Sequence, residues 1–174
     1  MQEGAFMQKL LGIFLLLVSV HLWADDLQEG IAAYRQKDFG KAFTLLKPYE
    51  ISSNPEAQVI LAYMYFYGQG TNKDHSKALS LFLKAADQGY AQAQNDLGIM
   101  YHEGKGVKQD YTQAFSWYKK AAEQGHAQAQ HNLGVMYFKG QGVRQNNAVA
   151  KEFFGKACDG GEQNGCNGYA LLNR

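Results

Sequence analysis

The sequence lacks a concentration of charge of either sign. It contains no run of Lys or Arg and no acidic tail, and its 174 residues carry a formal net charge of +1. Because proteins that bind DNA or RNA present a basic surface, we expect no nucleic-acid partner. The composition, 46% hydrophobic and 19% charged, is typical of one globular or solenoid domain and not of a disordered chain.

Signals for a cofactor or a metal are also sparse. Glycine pairs of the form Gly-x-Gly begin at Gly68, Gly104 and Gly140, but they lack the third glycine and the flanking strand of a dinucleotide-binding site. Histidines are scattered along the chain rather than clustered, at His75, His102, His126 and His131. Such scatter does not indicate a metal site. We therefore expect no cofactor and no metal.

The long apolar run of this chain lies at its N-terminus. Lys9 precedes the apolar stretch from Leu10 to Val18, and the small residue Ala24 precedes Asp25. This order is typical of a secretory signal peptide, so residues 1–24 are predicted to be cleaved after Ala24. An uncleaved membrane anchor is the alternative, but the run is shorter than the roughly 20 apolar residues that span a bilayer. We expect an exported protein, either periplasmic or secreted, and no lipid anchor, since no Cys ends the run.

The remainder of the chain repeats itself. Three kinds of residue recur with a spacing of 36: Leu61, Leu97 and Leu133; Tyr65, Tyr101 and Tyr137; and Ala78, Ala114 and Ala150. A fixed period of this length predicts a solenoid, in which each repeat buries its apolar face against its neighbours.

Each repeat contains two amphipathic helices, which we name helix A and helix B. The Gly-x-Gly pair between them permits positive φ and is predicted to end helix A, while Gly89, Gly125 and Gly161 end helix B. Helical periodicity in the central repeat assigns six side chains to the layers between helices: Ala93, Leu97 and Tyr101 from helix A, and Ala114, Tyr118 and Ala121 from helix B. The small Ala114 allows the two helices to approach closely.

These repeats resemble the Sel1-like repeat, a bacterial relative of the tetratricopeptide repeat. The central copy, Ala91 to Gly125, matches the pattern A-x-A-Q-x-x-L-G-x-x-Y-x-x-G-x-G-V-x-x-D-x-x-x-A-x-x-W-Y-x-K-A-A-x-x-G at every fixed position. The first copy differs at Ala62 and Thr71, and the third has Asn146 and Phe153-Phe154 in place of the Asp and the Trp-Tyr pair. The resemblance implies an all-α, right-handed superhelical solenoid of helix pairs.

The resemblance also divides the chain into units. Sel1-like repeats are predicted at residues 55–90, 91–126 and 127–162. Residues 25–54 look like a diverged, shorter tetratricopeptide-like unit, because the Gly-x-Gly insertion is absent from them. Residues 163–174 are long enough for one more helix A, which we expect to cap the end of the array.

Two cysteines follow the predicted signal peptide, Cys158 and Cys166. A spacing of eight across a helical hairpin places both side chains between the same two helices, so a structural disulfide is predicted in an oxidising compartment. Cysteine-rich secreted proteins that this repeat resembles carry pairs at the same spacing. A redox-active or metal-binding pair is the alternative, but the spacing is not Cys-x-x-Cys and no His is adjacent.

A partner-binding surface is expected on the concave side of the solenoid, which helix A lines in tetratricopeptide-like proteins. Alignment of the repeats places these non-anchor side chains there: Tyr63, Phe66, Tyr67, Asn95, His102, His131 and Phe138. Exposed aromatic residues are the usual anchors of protein interfaces. Burial of Tyr63 and Phe66 by the N-terminal unit is the alternative explanation for their size.

Two classes of function follow. The first is a non-enzymatic adaptor or scaffold of the cell envelope, which binds a protein or peptide in its groove; peptidoglycan is a further candidate partner. The second is a penicillin-binding or β-lactamase-like enzyme, as described for some cysteine-rich members of the family, and Ser116-x-x-Lys119 matches the Ser-x-x-Lys motif of such enzymes. No Ser-Asp-Asn or Lys-Thr-Gly follows, and Ser116 is predicted on an outward helix face, so we expect no catalytic residue.

Overall fold

The computed structural model describes residues 25–173, and every regular element within them is a helix. The predicted signal peptide, residues 1–24, lies outside the described residues. In chain order the elements are α1 (25–35), α2 (Phe39–Leu46), a 3-10 helix (Lys47–Ile51), α3 (Pro55–Tyr67), α4 (His75–Asp87), α5 (Ala91–Glu103), α6 (Tyr111–Glu123), α7 (Ala127–Lys139), α8 (Asn147–Asp159) and α9 (Gln163–Leu171).

The helices pack in chain order, each against its neighbours. Helices α3, α5 and α7 are the A helices of the three repeats, and each packs most extensively against its own B helix, namely α4, α6 or α8. Further contacts join α4 to α5, α6 to α7 and α8 to α9, so one repeat follows the next without interruption. The predicted all-α solenoid of helix pairs is confirmed.

Turn and cap residues fix where each helix begins and ends. Helix A ends at a left-handed glycine in every repeat, with φ of 72° at Gly68, 69° at Gly104 and 68° at Gly140. Helix B begins behind a side chain that accepts backbone N–H groups of the first turn: Asp74, Asp110 and Asn146. Asn146 therefore caps its helix as the aspartates do, which is why the third repeat tolerates this substitution.

Small residues hold the two helices of a repeat together at short distance. Ala93, Leu97, Ala114 and Ala121 are fully buried, as predicted, and Tyr118 is 3% exposed. A methyl group built on Gly98 would lie 2.4 Å from the ring of Tyr118, so only glycine allows this ring to pack on α5. Both the close helix contact and the ring position therefore depend on these side chains.

The prediction that Tyr101 is buried between the helix layers is wrong, because this residue is only half-buried. Its equivalent in the first repeat, Tyr65, is 3% exposed, and Phe43 of the N-terminal unit covers it with ring centroids 5.5 Å apart. Burial at this position is thus decided by the preceding repeat and not by the tyrosine itself.

The predicted disulfide is present in the structure. It joins Cys158 near the end of α8 to Cys166 of α9, with Cα atoms 4.5 Å apart. The bond therefore links the last A-type helix to the last B helix. Within residues 25–173, no helix is both long enough and apolar enough to cross a bilayer.

Candidate functional site: a groove along the A helices

The exposed sides of α3, α5 and α7 form one surface, which we call the A-helix groove. It contains two adjoining pockets. The aromatic pocket, of about 80 Å³, is lined by Tyr63, Phe66, Tyr67, Phe82, Asp96, Ile99, Met100 and Lys105. The polar pocket, of about 340 Å³, is lined by Ile99, His102, Glu103, Tyr118, Gln128, His131, Asn132 and Val135. Ile99 belongs to both linings, so the two pockets adjoin at this side chain.

Rings from the end of α3 shape the aromatic pocket. Tyr63 and Tyr67, one helical turn apart, stack with centroids 6.3 Å apart, and Phe66 meets Tyr67 edge to face at 5.0 Å. Tyr63 and Phe66 are half-buried, whereas Tyr67 is 56% exposed. The N-terminal unit therefore leaves Tyr67 uncovered, and a large amphipathic side chain faces solvent beside an apolar cavity.

A buried carboxylate forms the wall of this pocket. Asp96 is 8% exposed and accepts a hydrogen bond of 2.5 Å from the Tyr63 hydroxyl. The Gln92 side-chain amide also donates to both Asp96 carboxylate oxygens, at 3.1 and 3.2 Å. Burial raises the pKa of Asp96, and hydrogen bonds from Tyr63, Gln92 and Asn95 oppose that rise by stabilising the charged form. These donors hold the aromatic and polar side chains of α3 and α5 in one arrangement.

His126 extends the same network to the next repeat. Its Nδ1 accepts the backbone N–H of Ala129 at 3.3 Å and caps α7, which places the ring proton on Nε2. Nε2 then donates to Gln92 Oε1 at 3.1 Å. Burial lowers the pKa of His126. The network is therefore formed with a neutral imidazole, and it fixes α7 relative to α5.

The polar pocket contains two of the predicted histidines. His102 Nε2 lies 3.1 Å from Gln141 Oε1, and its ring packs edge to face against Tyr111 at 5.2 Å. His131 packs against Phe154 at 5.5 Å, and burial lowers its pKa. The His131 Nδ1 atom is buried and makes no hydrogen bond within the described part of the chain. Because this atom is buried, it is not available to a ligand in this arrangement.

The structure brings five of the predicted groove residues into the two pockets and separates the other two. Tyr63, Phe66 and Tyr67 line the aromatic pocket, and His102 and His131 line the polar one. Phe138 is half-buried and, as far as residues 25–173 show, lines neither pocket.

The prediction that Asn95 faces a partner is wrong, because this residue is 2% exposed and presents no surface to a partner. Its Oδ1 accepts a hydrogen bond of 3.1 Å from the Asn132 amide, so the side chain joins α5 to α7 instead. The sequence did not single out Asp96, the adjacent residue. Its position carries Ile60 in the first repeat and Asn132 in the third, and this change from apolar to charged between two anchors is the signal that marks it.

The Ser-x-x-Lys motif lies away from the groove. Ser116 is exposed on α6, and Lys119 Nζ is 3.8 Å from Glu123 Oε1. Both belong to a B helix, whereas the pockets above are formed mainly by A helices. Within the described ranges, no group of three or more His, Cys, Asp or Glu residues is placed to hold a metal ion.

Comparison with known proteins identifies the repeats. The family model described as Sel1 repeat matches residues 55–90, 91–126 and 127–162. A search of curated proteins found no match.

Solved structures give the same result. A Sel1 repeat protein from Oxalobacter formigenes is 34% identical with a TM-score of 0.80, over 85% of this chain and 59% of the other. A protective antigen of uropathogenic Escherichia coli with an SLR fold is 46% identical with a TM-score of 0.69, over 71% of this chain and 26% of the other. The chain thus spans about three fifths and one quarter of these two proteins.

Helicobacter pylori cysteine rich protein B shares the fold alone. It is 23% identical with a TM-score of 0.57, and the match covers 81% of this chain and 95% of the other. Because the Sel1 model accounts for more than half of the residues, the chain belongs to the Sel1 repeat family.

Proposed function

We propose that this protein is an exported, non-enzymatic adaptor or scaffold of the cell envelope, which binds a protein or peptide in the A-helix groove. Sel1 repeat proteins generally serve as scaffolds for protein–protein interaction. The observation that carries the proposal is that the two pockets adjoin at Ile99, with the exposed Tyr67 at one end. A surface that changes from aromatic to polar suits an extended segment or a helix better than a small molecule.

The groove offers such a segment two kinds of contact. An apolar side chain of the partner fits the aromatic pocket, where Phe66 and Tyr67 contribute ring surface at little cost in conformational entropy. A hydrogen-bonding group of the partner reaches polar side chains that line the polar pocket, such as His102 and Gln128. Because Asp96 already accepts hydrogen bonds from Tyr63 and Gln92, it holds the side chains of the groove in position and is not a free anionic site.

Export is part of the proposal. The bond between Cys158 and Cys166 supports it, because structural disulfides persist in oxidising compartments such as the periplasm. Sequencing the N-terminus of the protein recovered from the envelope tests this part, and a mature chain that begins at Asp25 is expected. Recovery of uncleaved protein from the cytoplasm contradicts it.

Site-specific photocrosslinking tests the binding surface. A photoreactive phenylalanine analogue is introduced singly at Tyr67 or His102 in the groove, and at Ser116 or Tyr169 as exposed controls outside it. Crosslinks from the native envelope are expected at the groove positions and not at the controls. Crosslinking to the same partner only from Ser116 contradicts the assignment to the A-helix groove.

The non-enzymatic part is tested separately. Purified protein and a Ser116→Ala variant are compared for hydrolysis of nitrocefin. We expect no turnover by either, since Ser116 is exposed on α6 and lies outside both pockets of the A-helix groove. Turnover that disappears in the variant contradicts the proposal and supports the β-lactamase-like alternative.

A further inference from the structure

A third pocket lies on the side of the B helices, at the junction of repeats 2 and 3. It has a volume of about 370 Å³ and is formed by α6, α7 and α8. Its floor is aromatic: Tyr137 stacks on Phe153 with centroids 5.7 Å apart and meets Phe115 edge to face at 5.6 Å. Three charged side chains also line the pocket, Lys119, Lys156 and Glu123, and the lining is completed by Ala122, Gly125, Gln130 and Leu133. We name it the B-helix pocket; its volume falls in the range of sites that hold small ligands or single side chains.

The preceding junction explains why this pocket exists. One repeat earlier, Lys119 corresponds to Leu83 and Phe153 corresponds to Trp117. Leu83 and Trp117 are both packed against the core there. Replacement of two large apolar side chains by a lysine and a smaller ring leaves space at the later junction and places a positive charge beside it.

A missing glutamine adds a hydrogen-bond acceptor to the pocket. In each of the two earlier repeats, a glutamine amide at the end of helix B donates to a glutamine of helix A. Gln88 donates to Gln58 Oε1 at 2.8 Å, and Gln124 donates to Gln94 Oε1 at 2.7 Å. The next pair in this series is Gln130 with Gly160, which has no side chain. Gln130 lines the pocket, and its amide nitrogen donates to the Ala122 carbonyl at 3.3 Å. Its Oε1 therefore lacks the glutamine donor that the earlier repeats supply.

We propose that the B-helix pocket binds the carboxy-terminal residue of a peptide or protein whose last side chain is apolar. The aromatic floor receives the side chain, Gln130 Oε1 accepts the backbone N–H of that residue, and the ammonium groups of Lys119 and Lys156 bind the terminal carboxylate. The cavity offers an apolar surface, the Gln130 acceptor and two cations, which match these three groups, and the two cations outnumber the single carboxylate of the lining, Glu123.

Carboxylates of the chain do not occupy the two ammonium groups completely. Lys119 Nζ is 3.8 Å from Glu123 and Lys156 Nζ is 2.6 Å from Glu152, each on its own helix. All four side chains are at least half exposed, so the two pairs are weak. An ammonium carries three N–H donors, and each lysine therefore keeps donors for a ligand. This site is distinct from the A-helix groove and does not depend on the function proposed for it.

The test uses a peptide of known chemistry. The ¹⁵N-labelled, oxidised protein is titrated by NMR with N-acetyl-Gly-Gly-Phe carrying a free carboxylate, and with the same peptide as its carboxamide. We expect shifts at Lys119, Gln130 and Phe153, with an affinity at least tenfold higher for the free carboxylate. Equal affinities, or shifts confined to the A-helix groove, overturn the proposal.

The repeats themselves supply the variants. Lys119→Leu with Phe153→Trp rebuilds the filled arrangement of Leu83 and Trp117, and binding is expected to fall at least tenfold while the circular dichroism spectrum is unchanged. Lys120→Leu is the matched control, because Lys120 lies over Trp117 at 4.0 Å and does not line the pocket; its affinity should equal that of the parent. If the double variant misfolds, Lys156→Gln replaces it with the same expected loss. Undiminished binding in the folded filled variant, or in Lys156→Gln, overturns the proposal.

Discussion

The two junctions between Sel1 repeats share their anchors and differ in nearly everything that faces solvent. In the repeat that follows each junction, a leucine of helix A is buried and a glycine of helix A packs against a ring of helix B, Gly98 on Tyr118 and Gly134 on Phe154. On the A-helix side the first junction is aromatic and the second is polar. On the B-helix side the first is filled by Trp117 and the second is open. Anchors therefore set the helix arrangement, while substitutions between them create the pockets.

The core also changes along the chain. Around the first repeat it contains large side chains such as Leu61, Met64 and Phe82. Around the second junction it consists mainly of alanines with Tyr118, Leu133 and Met136. Large buried side chains contribute more free energy of folding than alanines. We therefore expect the C-terminal end to open more readily and to depend on its disulfide.

Removal of the disulfide gives the largest expected effect. Replacing Cys158 and Cys166 by serine should lower the free energy of unfolding by about 2–3 kcal/mol, because the crosslink restricts the unfolded chain. Hydrogen exchange should show faster opening of α8 and α9 than of α3 and α4. Uniform acceleration along all helices contradicts the difference between the two ends. A reducing agent should have no further effect on the variant, which controls for its action elsewhere.

Overpacking the helix contact of the central repeat comes next. Ala114 is fully buried between α5 and α6, so Ala114→Leu should cost about 1–3 kcal/mol. Ala148 is exposed on α8, and Ala148→Leu is the control in which thermal unfolding should change little. An unchanged melting temperature in Ala114→Leu shows that the close contact between helices A and B lies elsewhere.

A single added methyl group tests the helix A glycine that the second and third repeats share. Gly98→Ala places Cβ 2.4 Å from the Tyr118 ring, and we expect a net loss of about 1 kcal/mol after the gain in helix propensity. Gly40 of α2 has no atom within 4 Å of the same added methyl group, so Gly40→Ala should be neutral or stabilising by up to about 1 kcal/mol. Chemical denaturation measures both. Equal effects contradict a specific packing role for Gly98.

The smallest effect is a pH dependence at the second junction. Burial lowers the pKa of His126 below its ordinary value of 6.5, so folding favours the neutral ring. Its contribution is fully present above about pH 6.5 and is lost as the pH falls through the folded pKa. His126→Asn copies Asn54, which caps the first repeat, and should weaken the loss of stability between about pH 7 and pH 5.

The parent protein is the control for the His126→Asn variant, because every other titrating group is the same in both. The raised pKa of Asp96 acts in the opposite direction, since protonation of that buried carboxyl favours folding, and it is common to the parent and the variant. His131, whose pKa is also lowered, is common to both as well. The difference between the two stability profiles therefore reports His126. Identical slopes contradict a neutral, capping imidazole.

Sequence period was sufficient to predict the helices and most buried anchors, because each anchor contacts the same neighbours in every repeat. Tyr101 was wrong because its burial depends on what the preceding repeat places over it. The prediction for Asn95 was wrong for a related reason: helical spacing placed it on the groove side, but Asn132 of the next A helix covers it and donates a hydrogen bond to its Oδ1.

The pockets themselves were beyond the sequence analysis. Asp96 becomes part of the aromatic pocket only when α3 brings the Tyr63 hydroxyl to it, and that contact joins residues 33 positions apart. The B-helix pocket requires three helices, and its Gln130 acceptor requires the absence of a side chain at Gly160. Such features depend on pairs of positions in different repeats, whereas the repeat pattern describes each position separately.

The central claim is that a partner binds through non-anchor side chains of the A-helix groove. The most direct test identifies the partner by crosslinking and then measures its affinity for folded variants of the protein. Phe66→Ala and Tyr67→Ala should each weaken binding by about 1–4 kcal/mol, the range of aromatic interface anchors. Tyr169→Ala, which removes a tyrosine 40% exposed on α9, and Ser116→Ala on α6 should leave the affinity unchanged. Unchanged affinity in both groove variants, together with a loss in Ser116→Ala, contradicts the claim and assigns the partner to the B-helix side.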